Sequence, residues 1–213
     1  MTDRGLVIGA GVGPVEELAE ALGAAPAELL GLDGQGDRSP AALEAARARL
    51  GSGDQVDWVV VALWPPTATR SPFLDLLDED WERRSEWALT AWVAAMGAAV
   101  QRCRDGGRIV AVVERPPPLD SVGWSAESAL ADAVEALVRS LSRSEGPRGV
   151  RVNAVSTPFR MVELPVRPPA PPLDSFPGGV VPEVAEAVRM LIGPGVAGVT
   201  GTMVHADCGR SWR

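Results

Sequence analysis

Short continuous apolar runs alternate in this sequence with longer segments of helical periodicity. Residues 56–63 are almost all apolar and rich in valine, which is typical of a strand covered on both faces. Residues 108–113 and 149–155 form similar runs, whereas residues 125–145 repeat apolar side chains at three- and four-residue spacing. This alternation predicts an α/β fold: a doubly wound parallel sheet with right-handed crossovers.

Along the whole chain the pattern gives six strands and five helices. Strands are expected at 6–8, 29–32, 56–63, 108–113, 149–155 and 203–206, and helices after Pro14, after Ser39 and at 79–104, 125–145 and 184–192. Neither an internal repeat nor an interdomain linker interrupts this order, so residues 1–213 are expected to form one domain. A proline-rich stretch without periodicity at 157–182 is expected to be a long loop or lid.

Composition excludes several classes of function. A net charge of −8 leaves no basic stripe to neutralise phosphates, which argues against a nucleic-acid partner. Neither a membrane span nor a signal peptide is expected, so the expected location is the cytoplasm. The chain has no tyrosine, all 20 basic residues are arginine, and there is one histidine. No mechanism that needs a tyrosine or a lysine can run on this chain alone.

The first strand ends in a glycine turn that contains Gly9, Gly11 and Gly13 and is followed by Pro14. Such a turn can hold a phosphate at a helix N-terminus, but a single glycine-rich turn is a weak signal. We favour a retained strand-to-helix turn over a working phosphate cradle.

The carboxyl ends of parallel strands form the crevice in which such folds bind ligands. Three carboxylates bracket this region, namely Glu114, Asp120 and Glu127, and two carboxylates in a dry cleft can divide acid and base roles. His205, in the last strand, is expected to be structural or to lie in an interface. Cys103 and Cys208 lack partners at ligand spacing, so no metal site is expected.

Several segments together resemble the short-chain dehydrogenase/reductase family, particularly its ketoacyl-thioester reductase branch. The most specific are WSAESALADAVEALVRSLSRSEGPRGVRVNAV at 124–155 and VTGTMVHADCG at 199–209. The turn at 5–13, the strand at 56–63 and Trp81-Glu82-Arg83 fit the same pattern. The resemblance implies a Rossmann-like fold that is about one strand-helix unit shorter than usual, because few residues separate the glycine turn from Val56.

The resemblance also implies that the catalytic tetrad is lost. The tyrosine position of the family is Trp124 and the lysine position is Ser128. The serine position falls among Val113, Glu114 and Arg115, and the asparagine position is Ala88. An indole N–H does not titrate in water and serine carries no charge, so this set cannot transfer a proton as the family does.

By the same resemblance, the cofactor site is altered. Val15 stands where the family keeps the last glycine of the turn, and Pro14 removes one N–H from the helix N-terminus. Trp64 stands where a glycine would line the cofactor ribose. We therefore expect no NAD(P) on this chain.

The first hypothesis is a catalytically inactive subunit that pairs with an active homologue. The helices at 79–104 and 125–145, which form the family's dimer interface, would join the two in a heterodimer or heterotetramer. The partner would bind NAD(P) and reduce or oxidise a ketone or alcohol, plausibly on an acyl thioester.

Two alternatives remain open from the sequence. One is a non-redox enzyme, catalysing a dehydration, cyclisation or isomerisation, with Glu114 or Glu127 as base and Trp64 and Trp124 shaping a dry pocket. Separately, the proline-rich stretch could cover an acyl-thioester substrate, with Arg160 and Arg167 meeting its phosphates, although a proline-rich surface loop needs no ligand. The other is an ordinary reductase that has recruited unusual residues.

Overall fold

The structure, a computed structural model, describes residues 3–10, 14–28, 39–64, 70–116, 121–158 and 184–207. Within these residues there are six strands: β1 (Gly5–Ala10), β2 (Ala25–Glu28), β3 (Val56–Leu63), β4 (Cys103–Glu114), β5 (Arg151–Thr157) and β6 (Met203–His205). The α-helices are α1 (Pro14–Leu22), α2 (Pro40–Gly51), α3 (Asp78–Trp81), α4 (Trp87–Arg102), α5 (Ser125–Ser144) and α6 (Glu186–Ile192). None of the described helices is long and apolar enough to span a membrane.

All six strands form one parallel sheet in the order β2-β1-β3-β4-β5-β6. Alternate side chains of each strand enter two separate cores. Leu6 and Ile8 of β1 belong to the core that also contains residues of α2, α4 and α5. Val7 belongs to the core on the other face, which contains residues of α1 and α6. The predicted doubly wound, Rossmann-like α/β fold is therefore confirmed.

The position predicted for the second strand is wrong by four residues. It was expected at 29–32, but β2 occupies Ala25–Glu28 and pairs with β1 through contacts such as Val7 with Pro26. Proline lacks an N–H, and an edge strand such as β2 tolerates that loss. Residues 29–38 lie outside the described residues.

The long helix predicted at 79–104 is continuous but not uniform. A π-helical turn at Glu82–Glu86 joins α3 to α4. The helix ends at Arg102, before the glycine pair at 106–107 that was expected to stop it, because Cys103 already has extended backbone angles. The next strand also differs: β5 begins two residues later than predicted, after a 3₁₀ turn closed by Gly149 with φ +71°.

Arginine side chains cap the helix C-termini at the amino edge of the sheet. Arg102 donates to the Leu50 carbonyl at the end of α2. Arg148 donates to the Val100 carbonyl in the last turn of α4 and to the Cys103 carbonyl, just after that helix. Arg108 donates to the Ile192 carbonyl of α6. These bonds satisfy carbonyls that have no partner within their own helices.

Burial of the Cys103 thiol at this edge predicts an alkaline loss of stability. Desolvation raises the pKa of Cys103 to about 11 from an ordinary value of 9.0. As the pH rises from about 9 to about 11, the thiol ionises in the unfolded chain only, so the free energy of unfolding should fall by about 3 kcal/mol. Tyrosine and lysine, which would titrate in the same range, are absent from the chain.

Urea unfolding at about pH 8 and about pH 10.5 measures this loss. The Cys103→Ala variant should lack most of the pH dependence, and Cys208→Ala should keep it. The same slope in the wild type and in Cys103→Ala would contradict the assignment.

Candidate functional site

The carboxyl edge of the sheet brings together the segments in which sequence reasoning placed the crevice. In the parallel register, Ala10 of β1 lies opposite Leu63 of β3, and Glu114 of β4 lies opposite Thr157 of β5. α5 begins at this same edge, after the loop that follows β4. Gly11, Gly13, Asp120, Arg160, Arg167 and Cys208 lie outside the described residues, as does most of the predicted loop at 157–182.

The side chain of Val15 fills the space that the missing side chain of Gly9 leaves open. A Cβ atom built on Gly9 would lie 2.1 Å from Cγ1 of Val15. Val15 is buried and packs in the same core as Leu18 and Val7. Close backbone approach at Gly9 therefore serves the packing of α1 on β1.

Trp64 follows β3 at the adjacent position of the edge. It is 2% exposed and belongs to the core that contains Val15. Its indole N–H is buried, and none of the described residues provides a hydrogen-bond acceptor for it. The large ring thus fills the end of the β1–β3 junction without satisfying its own polar group.

The four positions that the resemblance assigns to catalysis lie in different surroundings. Ala88 is buried in the core beneath α4, and Ser128 is half-buried one turn into α5. Glu114 ends β4 and is half-buried. Trp124 occupies the N-cap position of α5 and is 4% exposed. Its indole N–H is a second buried donor that finds no acceptor within the part of the chain that the structure describes.

A buried ion pair joins the π-helical turn to the start of α5. The Arg84 guanidinium donates to both carboxylate oxygens of Glu127, from Nε at 2.7 Å and from the terminal nitrogen at 2.8 Å. The two side chains are 7% and 13% exposed. Because both carboxylate oxygens already accept hydrogen bonds, this arrangement does not favour Glu127 as a general base.

Sequence reasoning missed Arg84, because 43 residues separate the two partners. The one available signal was an arginine in the segment resembling the family's interface helix. Such a signal does not identify the partner.

Other polar side chains near this edge are also paired. Oγ of Ser156 lies 2.7 Å from Nδ1 of His205, which joins the ends of β5 and β6. Arg115 donates to Asp132 and Glu135 of α5. Within the described residues, no three histidine, cysteine or acidic side chains converge on a possible metal site.

Comparison with known proteins agrees with the fold and points to one family. The family model described as enoyl-(acyl carrier protein) reductase matches residues 9–161. None of the curated proteins matches the chain.

Solved structures align with nearly the whole chain. A short-chain dehydrogenase/reductase from Serratia marcescens has a TM-score of 0.72 at 21% identity, over 99% of this chain and 98% of that chain. A glucose/ribitol-type dehydrogenase/reductase from Brucella melitensis has a TM-score of 0.68 at 19% identity, over 99% and 97%. A blue fluorescent protein from a metagenomic library, in complex with NADPH, has a TM-score of 0.70 at 18% identity, over 99% of each chain. At these identities the structures show a shared fold.

The contact between Gly9 and Val15 predicts that Gly9→Ala destabilises the protein. The new methyl group would overlap Val15, and overpacking of this kind costs about 1–3 kcal/mol. In the background of Val15→Ala, Gly9→Ala should cost about 1 kcal/mol less free energy of unfolding than in the wild type, as measured by urea unfolding in a double-mutant cycle. Gly198→Ala is the control because its new Cβ meets no atom within 4 Å. Equal effects at Gly9 and Gly198 would refute the close contact.

The ion pair predicts that Glu127→Gln acts on stability. Removing the carboxylate charge leaves the buried Arg84 guanidinium uncompensated, which should lower the free energy of unfolding by roughly 2–4 kcal/mol. Glu186→Gln, which weakens the exposed pair with Arg189, is the control and should cost less than about 1 kcal/mol. If Glu127→Gln lowered the free energy of unfolding no more than Glu186→Gln does, the Arg84–Glu127 pair would contribute little to stability.

Proposed function

This chain belongs to the short-chain dehydrogenase/reductase family, and on that premise we propose that it is a catalytically inactive subunit of a heteromeric enzyme in the cytoplasm. It pairs with an active homologue that keeps the tyrosine and lysine of the family. The partner binds NAD(P) and interconverts a ketone and an alcohol, with acyl thioesters as the substrate class. This chain contributes buried interface area and thereby stabilises the complex.

The observation that carries the proposal is the close contact between Val15 and the backbone of Gly9, where the glycine turn begins. A dinucleotide pyrophosphate needs close approach to the backbone of the glycine turn and to the helix N–H groups behind it. Val15 lies over Gly9 in that space, and Trp64 closes the neighbouring junction between β1 and β3. These contacts support a chain that leaves both cofactor binding and hydride transfer to its partner.

The proton-transfer positions support the same conclusion. Trp124 and Ser128 offer neither a titrating hydroxyl nor a positive charge where the family places its tyrosine and lysine. Ala88 is a core residue with no polar side chain. The competing hypothesis of a non-redox enzyme is weakened for Glu127 by its pairing with Arg84.

Docking through α4 and α5 is supported by the small residues on their outward faces. On α5, Ala136, Ser140 and Ser144 are exposed and, with Arg139 and Arg143, line a shallow groove. On α4, Val93 is 51% exposed although it lies in the middle of the helix. Small and apolar residues at such positions allow another helix to approach closely.

The test is co-expression with a neighbouring homologue that retains the Tyr-x-x-x-Lys pair. The two chains should purify together, and Ala136→Arg should reduce the recovered partner roughly tenfold by placing a long charged side chain in the interface. Ala45→Arg, on the exposed face of α2, introduces the same change outside the proposed interface and should leave recovery unchanged. Separate purification of the two chains, with a partner that is fully active alone, would refute the proposal.

The isolated chain provides the second measurement. Titration with NADH and NADPH should give no binding in the micromolar range, because the proposal assigns the cofactor to the partner and treats the packed side chains of Val15 and Trp64 as obstacles to it. Oxidation of NADPH by this chain alone would contradict the proposal that the chain is inactive. It would support the alternative of an ordinary reductase that has recruited unusual residues.

A further inference from the structure

Large apolar side chains are exposed together in the segment that precedes α3. Phe73 is 69% exposed, Leu74 is 94% exposed and Leu77 is 58% exposed. Val122, in the loop before α5, is 81% exposed. These four residues, which we call the apolar surface, are four of the six large apolar side chains exposed within the described part of the chain. Scattered exposed apolar residues are common, but a group of them marks a contact surface.

Backbone hydrogen bonds hold this surface in place. The Leu76 N–H donates to the Phe73 carbonyl at 3.3 Å and closes a 3₁₀ turn. The Ser71 N–H donates to the Gly123 carbonyl at 3.1 Å, which joins the segment to the loop that carries Val122. The exposed apolar side chains therefore extend from an anchored backbone.

The surface has the size of a single helix contact. Because a chain extends by no more than about 3.6 Å per residue, residues 73–77 span at most roughly 14 Å. A helix with its side chains is about 10–12 Å wide, and about nine of its residues cover 14 Å along its axis. One amphipathic helix is thus wide and long enough to contact all three apolar side chains of the segment.

Negative charge adjoins the apolar surface. Residues 72–82 contain five acidic side chains and no basic one. Asp80 pairs with Arg83, and the nearby cation Arg70 lies over the ring of Trp124. Three acidic side chains are exposed and form no ion pair within the described residues, namely Asp75, Asp78 and Glu79. The segment therefore combines exposed apolar groups with uncompensated negative charge.

This charge decides which occupant the surface suits. A membrane that contains anionic lipid repels an acidic segment. A second copy of the chain, meeting the first through the same surface, would bring the same acidic side chains together, and like charges in an interface are costly. Lysine and arginine beside apolar side chains complement both properties of the surface.

We propose that the apolar surface docks a basic amphipathic helix of a partner protein. The apolar side of that helix covers Phe73, Leu74 and Leu77, and its cations face Asp78 and Glu79. In this mode of recognition, apolar anchors at helical spacing supply affinity and the flanking charges supply selectivity.

The docking surface is separate from the interface proposed for α4 and α5. It lies on other elements, needs no active homologue and is measured on the isolated chain. Failure of co-purification with a homologue would leave it standing, and its own failure would leave the inactive-subunit proposal standing.

The experiment is a calorimetric titration of the isolated protein with a synthetic peptide of about 15 residues, with leucine at helical spacing and lysine between. Half-saturation is expected at about 10–100 μM. A scrambled peptide of the same composition keeps the charge and loses the apolar face, so it should bind at least about tenfold more weakly. Equal binding of the two peptides, or no binding of the amphipathic one, would refute the proposal.

An apolar pair of variants locates the contact. Leu74→Ser should weaken binding of the amphipathic peptide at least about tenfold, because it removes a leucine that the helix would cover. The fold should be unaffected, since Leu74 makes almost no internal contact at 94% exposure. Met190→Ser removes a 48% exposed side chain from α6 and should leave binding unchanged. Equal effects of the two substitutions would place the peptide elsewhere.

A charge pair of variants tests the acidic contribution. Asp78→Asn combined with Glu79→Gln should weaken binding about fivefold or more and reduce its dependence on salt. Glu17→Gln combined with Glu20→Gln removes the same charge from exposed positions of α1 and should have little effect. A loss no larger at 78 and 79 than at 17 and 20 would contradict charge complementarity at this surface.

Vesicle sedimentation distinguishes a membrane from a protein partner. The wild type should not sediment with vesicles of phosphatidylcholine and phosphatidylglycerol, because the acidic segment opposes the anionic lipid. Sedimentation that Leu74→Ser abolishes would overturn the assignment to a protein helix.

Discussion

A parallel sheet gathers the C-termini of its helices at one edge, where their last carbonyl groups need donors. In this protein arginines supply them. Arg151 donates to the Leu191, Gly193 and Val196 carbonyls at the end of α6, beside Arg108, its neighbour in the β4–β5 register. Desolvation lowers the pKa of Arg151, and the charge of Arg108 lowers it further. The carbonyl oxygens stabilise two adjacent guanidinium groups that would otherwise repel each other, and the position of α6 depends on this arrangement.

The opposite edge of the same sheet is organised by packing instead of charge. Val15 and Trp64 pack in one core at this edge, and Ala88 of α4 is buried in the core on the other face of the sheet. The Arg84–Glu127 pair then holds the start of α5 against the π-helical turn. All of these contacts are internal to the chain.

Much of this fold could be predicted from the sequence, and the failures have physical causes. The strand at Val56–Leu63 was confirmed because a run of valines buried on both faces has no competing interpretation. Edge strand β2 was misplaced because Ala25–Glu28 carries little apolar signal and its pairing with β1 decides its position. Within the site, the motifs located Trp124 at the start of α5. Neither its missing acceptor nor the Arg84 partner of Glu127 has a local signature, because both depend on tertiary packing.

Stability alone does not explain why two tryptophans are buried at the carboxyl edge of the sheet. Burying a large apolar side chain contributes about 1.5–3 kcal/mol, whereas each unpaired buried donor costs about 1–3 kcal/mol. For Trp64 and Trp124 these two quantities nearly cancel, and phenylalanine would fill much of the same space without the cost of the N–H. The guanidinium of Arg70, which forms no ion pair within the described residues, lies over the second of these rings. Both rings therefore carry a cost in stability that phenylalanine at the same positions would avoid.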